Sequence, residues 1–165
     1  MTLESLNQLP ASEFLHAIGG ALEGETWLAE RVIQQRPFAD REALIAAFER
    51  AIATATDSEK IRLLDSHPDL AAKVDVPLST ASVQEQAAAG LKYLSQAEYD
   101  EFQTQNAAYR ARFGFPFVIC ARENTRHSIL AAFRERLKHE RAQEIEIGAQ
   151  EVSKILRLRL TDLLA

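Results

Sequence analysis

"FGFPFVICAR", residues 113–122, is the stretch on which the fold class turns. Gly114 and Pro116 break any helix arriving from the N-terminal side, and Phe115, Phe117, Val118 and Ile119 make the continuous apolar run expected of a buried strand. A buried extended backbone must pair its N–H and C=O groups. No other stretch of the chain reads as a second strand. The expectation is therefore an all-α chain: a single-domain bundle of about eight to nine helices with one buried extended segment near 114–121. Two solutions for that segment's backbone stay open. Side chains, water or a symmetry mate can complete its hydrogen bonds, or a flat polar ligand with amide edges can do so.

Everything around this segment reads as helix. In "DREALIAAFERAIAT", residues 40–54, Leu44, Ile45, Phe48 and Ile52 fall on one stripe, with Asp40 placed as the N-cap. The same spacing predicts helices at about 12–22, 25–36, 40–54, 58–66, 68–74, 82–93, 95–112, 124–138 and 141–164. The six glycines and five prolines sit mainly at the joints, and no repeat or low-complexity linker divides the chain.

Length and charge narrow the function classes. The 165 residues, 47% of them hydrophobic, suit one domain, 1–165, with an ordinary core. A net charge of −5 argues against nucleic acid as a partner, because phosphate binding needs a basic patch to release counterions. The basic run "RERLKHER", residues 134–141, is interleaved with glutamates and reads as a solvated helix face. Cys120 is the single cysteine, which excludes an internal disulfide and a multi-cysteine zinc site and suits a reducing compartment. The start "MTLESLNQLPASEF" lacks a secretory pattern, no stretch has the length of a membrane span, and "DLLA" is not a peroxisomal tripeptide. A soluble, cytoplasmic protein without a membrane partner is expected.

Three polar groups stand out. In "LLDSHPDLAAK", residues 63–73, Pro68 suits the first turn of a new helix and leaves His67 at its start. Helix starts attract anions, so His67 can face a carboxylate and exchange protons near neutral pH, or merely cap and pack. In "SVQEQAAAGL", residues 82–91, Ser82 and Glu85 have the spacing of a capping box, and small residues follow that permit close packing. In "QEVSKILRLRLTDLLA", residues 150–165, Arg159 shares the stripe of Val152, Ile155, Leu156 and Leu163, whereas Arg157 neighbours Ser153, Lys154 and Thr161 and points to water. A guanidinium on an apolar stripe needs either an internal carboxylate or an anionic ligand gripped by two parallel hydrogen bonds. His16, His127 and His139 lie on amphipathic helices without metal-ligand spacing, so no metal is expected.

"ETWLAERVIQQRPFAD" (25–40), "HPDLAAK" (67–73), "LSTASVQEQAAAGL" (78–91), "NAAYRARFGFPFVICAR" (106–122) and "EVSKILRLRL" (151–160) occur together in the order and approximate spacing of one family. The chain resembles the 2-oxo-4-hydroxy-4-carboxy-5-ureidoimidazoline (OHCU) decarboxylases, enzymes of urate degradation that yield (S)-allantoin. The resemblance implies an all-helical homodimer without metal or organic cofactor, acting on OHCU. It also implies His67, Glu85 and Arg159 as catalytic residues. Pro68, Ser82, Gln86 and the segment Phe117, Val118, Ile119, Cys120 and Ala121 would bind substrate. The chain departs from the family at Glu25 and Thr26, where Ser-Pro is common, and at Asp65 and Ser66. Neither departure removes a proposed catalytic group.

The chemistry fits those residue types. The substrate carboxylate sits on a ring carbon beside a carbon–nitrogen double bond, so electrons left by CO₂ flow onto that nitrogen without a metal or pyridoxal sink. The protein must supply orientation and a proton delivered to one face. The resemblance implies His67 against the carboxylate as proton donor and Glu85 on the neighbouring hydroxyl. Arg159 and Gln86 would hold carbonyl oxygens, and backbone 117–121 the amide edge. Related ureide or imidazoline acids are alternative substrates. The competing class is a non-enzymatic helical interaction domain, in which these residues are a cap, a capping box and an ion pair. Only the enzymatic reading requires them to converge on one pocket beside 117–121.

Overall fold

The computed structural model describes residues 1–72 and 79–165. Nine α-helices lie among the described residues, with no strand: α1 (Leu3–Gln8), α2 (Ala11–Gly19), α3 (Trp27–Val32), α4 (Arg41–Ala53), α5 (Asp57–Asp65), α6 (Thr80–Ala88), α7 (Gln96–Phe113), α8 (Arg126–Arg136) and α9 (Arg141–Leu163). Asp40 caps α4 as expected, accepting the Ala43 N–H at 2.7 Å. Capping boxes start α5 (Thr56 with Glu59) and α7 (Ser95 with Glu98). No described helix is long and apolar enough to cross a membrane.

Helix α9, about 34 Å long at 1.5 Å per residue, is the element against which α4 and α5 pack. Gly148 lets α5 approach closely, since a Cβ there would stand 2.7 Å from Leu64 Cδ2. That contact fixes the end of α5, where His67 follows.

Several sequence expectations need correction. Helix α1 was not anticipated, because only Leu6 of its six residues is buried and so short an element carries no periodic stripe. The expected helices 12–22 and 25–36 are shorter, ending in 3₁₀ turns; between them Glu23 and Gly24 turn the chain at φ 51° and 84°. No helix begins at Pro68. Residues 67–72 run as a loop with Ala71 in the left-handed region at φ 53°, and residues 73–74 of the expected helix lie outside the described residues. Side chains hold this loop open: Gln86 Oε1 accepts the Ala71 N–H at 3.1 Å, while Gln103 and Asn106 amides donate to the carbonyls of Ala71 and Leu70.

Helix α6 likewise starts at Thr80 with Ser79 as its cap, so Ser82 and Glu85 are not a capping box. Ser82 sits inside the first turn, where its N–H is taken by Ser79 Oγ. The run 134–141 is not wholly solvated either. Arg136 turns inward and is 6% exposed, and His139 follows α8 rather than lying on a helix.

The extended segment is present and has no strand partner among the described residues. Its backbone is held by side chains: Arg136 donates to the Val118 carbonyl at 2.7 Å, Glu151 accepts the Cys120 N–H at 3.3 Å, and Asn124 donates to the Cys120 carbonyl at 2.9 Å. Beneath it Phe117 stacks on Phe133 with centroids 3.7 Å apart and meets Tyr109 edge-on at 5.3 Å.

Candidate active site

His67 stands one residue past the C-cap of α5, at the carboxyl end of a helix rather than the start of one. Its Nδ1 lies 2.9 Å from the Leu63 carbonyl oxygen, which can only accept, so Nδ1 carries the proton and Nε2 is the nitrogen left for chemistry. Burial holds the imidazole pKa below its ordinary value. The Leu63 hydrogen bond opposes this, Arg159 adds to it, and the Glu23 and Glu85 carboxylates pull upward without reversing it. His67 is therefore held toward its neutral form at neutral pH.

Across from it, α6 contributes Ser82, Glu85 and Gln86 on one face, and α9 contributes Ile155 and Arg159. Arg159 binds Glu85 through two parallel hydrogen bonds, Nε to Oε1 at 2.8 Å and an Nη2–H to Oε2 at 3.1 Å. A further Nη1–H donates to the Ala21 carbonyl at 3.2 Å, and Nη2 lies 2.9 Å from Glu23 Oε1. Burial opposes the Arg159 charge, but the two carboxylates outweigh it and push its pKa up. The guanidinium stays charged throughout.

These groups share one small, partly open pocket, lined by His67, Pro68, Ser82, Glu85, Gln86 and Arg159. Phe117, Val118, Ile119 and Ala121 line it too. Among the described residues, no hydrogen bond engages the N–H or C=O of Phe117 or Ile119, so backbone donors and acceptors remain for a ligand. Cys120 is not part of the lining. Its amide groups are taken by Glu151, Asn124 and Glu123, and burial pushes its thiol up to about 11.

Of the residues read from the sequence, the structure thus gathers all but Cys120 around one cavity. The family profile described as OHCU decarboxylase matches residues 7–161. The chain belongs to this family. It is 37% identical over 162 residues to the OHCU decarboxylase of Haloferax volcanii, covering 98% of this chain and 95% of that protein. A crystal structure of (S)-allantoin synthase superposes with a TM-score of 0.79 at 28% identity, covering 99% of this chain and 54% of that one. A crystal structure of OHCU decarboxylase in the presence of (S)-allantoin gives 0.72 at 25% identity, covering 86% of this chain and 92% of the other.

Sequence reasoning missed two groups of this OHCU decarboxylase family member. Glu23, in the turn after α2, accepts hydrogen bonds from Ser79 Oγ at 3.0 Å and Ser82 Oγ at 2.7 Å besides meeting Arg159. Only the demand of Arg159 for a carboxylate could have hinted at it. Arg136 and Glu144 lie behind the extended segment: Glu144, fully buried, accepts from Arg136 Nε at 2.7 Å and Tyr109 Oη at 2.6 Å, and sits 2.9 Å from His139 Nδ1. Arg136 thereby carries the Val118 carbonyl on one side and its counter-charge on the other.

Proposed function

We propose that this chain decarboxylates OHCU to (S)-allantoin in urate degradation, with His67, Glu85 and Arg159 as its catalytic residues. The observation that carries the reading is the convergence of those three side chains, from three separate parts of the chain, on one pocket that residues 117–119 and 121 also line. An interaction domain with a cap, a capping box and a buried ion pair has no need of that convergence.

The substrate carboxylate lies against Nε2 of His67. The neutral imidazole gains proton affinity from the adjacent anion, takes up a proton as the substrate binds, and becomes the donor. The carbon–carboxylate bond breaks, CO₂ leaves, and its electron pair flows to the ring nitrogen. Glu85 accepts the proton of the neighbouring hydroxyl as that carbon becomes a carbonyl and passes it to the ring nitrogen, while the His67 proton is delivered to a single face of the adjacent carbon. One proton is consumed overall, as loss of CO₂ from a carboxylate requires. Arg159 and Gln86 hold carbonyl oxygens of the ureido group and ring, and the free backbone groups at Phe117 and Ile119 read the amide edge. Electrostatic preorganisation of this kind needs no cofactor.

The reading extends to residues 1–165 as one domain, a homodimer in the cytoplasm. The dimer is what the family resemblance implies, and the single, buried Cys120 is compatible with a reducing compartment. Light scattering of the purified protein tests the dimer. For the activity, urate is first oxidised and ring-opened, the protein is added, and allantoin formation is followed by circular dichroism. A growing (S)-allantoin signal is expected; racemate formed at the spontaneous rate would sink the assignment.

A further inference from the structure

The Glu23 carboxylate is a second buried charge on Arg159, and it does not line the pocket. Its side chain is 9% exposed, and a single oxygen, Oε1, gathers three groups: the hydroxyls of Ser79 and Ser82 and the Nη2 of Arg159. Ser79 is the cap of α6 and Ser82 lies in its first turn, whereas Arg159 is on α9. Glu23 itself stands in the left-handed region, which turns the chain out of the 3₁₀ turn Gly20–Leu22 toward α3, while its side chain reaches the start of α6. Burial alone would push its carboxyl up, but the Ser82 hydroxyl and the Arg159 charge outweigh it and hold it below the usual range.

Arg159 therefore has two carboxylates with different access to ligand. Glu85 faces the cavity and shares two of the guanidinium's hydrogen bonds; Glu23 stands behind the wall. Resting on the decarboxylase reading, we infer that Glu23 is a positioning residue: it anchors Arg159 and the start of α6 permanently, so that the Glu85 side of the guanidinium can be exchanged for substrate. With Glu23 in place Arg159 keeps a counter-charge when it lets go of Glu85. Without it, Arg159 would hold Glu85 as its sole carboxylate, and substrate would compete against a tighter pair.

The test is steady-state kinetics on Glu23→Gln, which keeps an oxygen acceptor for the serines and removes the charge. KM is expected to rise about tenfold while kcat changes by less than about threefold, with Tm shifted by only a few degrees. Glu23→Asp, whose backbone tolerates the left-handed turn, should give an intermediate KM, and it decides the matter if the Gln variant does not fold. An unchanged KM in the folded variants, or kcat and Tm falling together with no effect on KM, overturns the positioning role. Wild-type protein is assayed alongside: if it forms no (S)-allantoin, the decarboxylase reading fails first and takes this inference with it, whereas an active wild type with an indifferent Glu23 sinks the inference alone.

Discussion

Arg159 and Glu85 meet fork to fork, at 2.8 and 3.1 Å, between α9 and α6 on the wall of the pocket. Both side chains are largely buried, so the pair is shielded from solvent, and loss of Arg159 would leave the Glu85 carboxylate buried without its counter-charge. The two sequence-level readings of Arg159, internal ion pair and ligand grip, are therefore not exclusive. Glu85 satisfies Arg159 internally, in the same planar geometry that would hold a substrate's oxygens.

Arg159→Lys retains the charge and loses the fork. A lysine cannot reach Glu85, Glu23 and the Ala21 carbonyl together, and kcat/KM should fall at least about tenfold, equivalent to about 1.4 kcal/mol. Arg157 provides the control. It pairs on the surface with Glu42 and Glu49, contacts worth about 0–1 kcal/mol, and Arg157→Lys should leave kinetics unaltered. Equal effects at the two positions would point to helix α9 stability rather than the site.

His67→Asn removes the nitrogen presented to the pocket while keeping a group near Leu63 O. Loss of a positioned proton donor costs about 10²–10⁴ in rate, and the residual product should approach racemate as spontaneous decay overtakes the enzyme. Chiral analysis of allantoin measures this directly. Enriched (S)-product at the parental rate would remove His67 from the chemistry.

The helical class, the extended segment and the inward face of Arg159 were legible because each is written locally: a 3.6-residue stripe, a Gly and a Pro at the head of an apolar run, an arginine on an apolar face; the substrate-binding residues came with the family resemblance. What failed was decided at a distance. Pro68 looks like a helix start, yet the loop after His67 is held by Gln86, Gln103 and Asn106 from two other helices. Ser82 and Glu85 have capping spacing, but Ser82 gives its hydroxyl to Glu23, 59 positions earlier. Arg136 reads as one charge in a mixed run because its partners, Glu144 and Val118, are brought to it only by folding. Even Gly148, which looks like a weak point in a long helix, is required by the approach of Leu64.

Acid should destabilise the fold partly through His67. Its folded pKa is depressed by burial, so the unfolded chain binds a proton near the ordinary value of about 6.5 while the native state resists until lower pH. In that interval the unfolded state holds more protons, and stability falls as pH falls. The stability in question is present above the unfolded value and lost as pH drops toward the folded one. Between about pH 7.5 and about pH 5.5, wild type should therefore lose more Tm than His67→Asn. Parallel Tm curves for the two proteins would show that His67 is not held neutral.

Glu144→Gln tests the support behind the substrate segment. The carboxylate is fully buried and neutralises Arg136, which in turn donates to the Val118 carbonyl and lies over the Phe117 ring at 4.2 Å. An amide in its place leaves a buried guanidinium without counter-charge, and breaking such a pair typically costs about 3–5 kcal/mol. The Tyr109 hydroxyl would also lose its charged acceptor at 2.6 Å. Urea unfolding should show that loss as a lowered midpoint with little change in slope. Because Arg136 is what holds Val118, the surviving folded fraction should also bind substrate less tightly. A variant as stable as wild type would mean that Arg136 finds its counter-charge elsewhere.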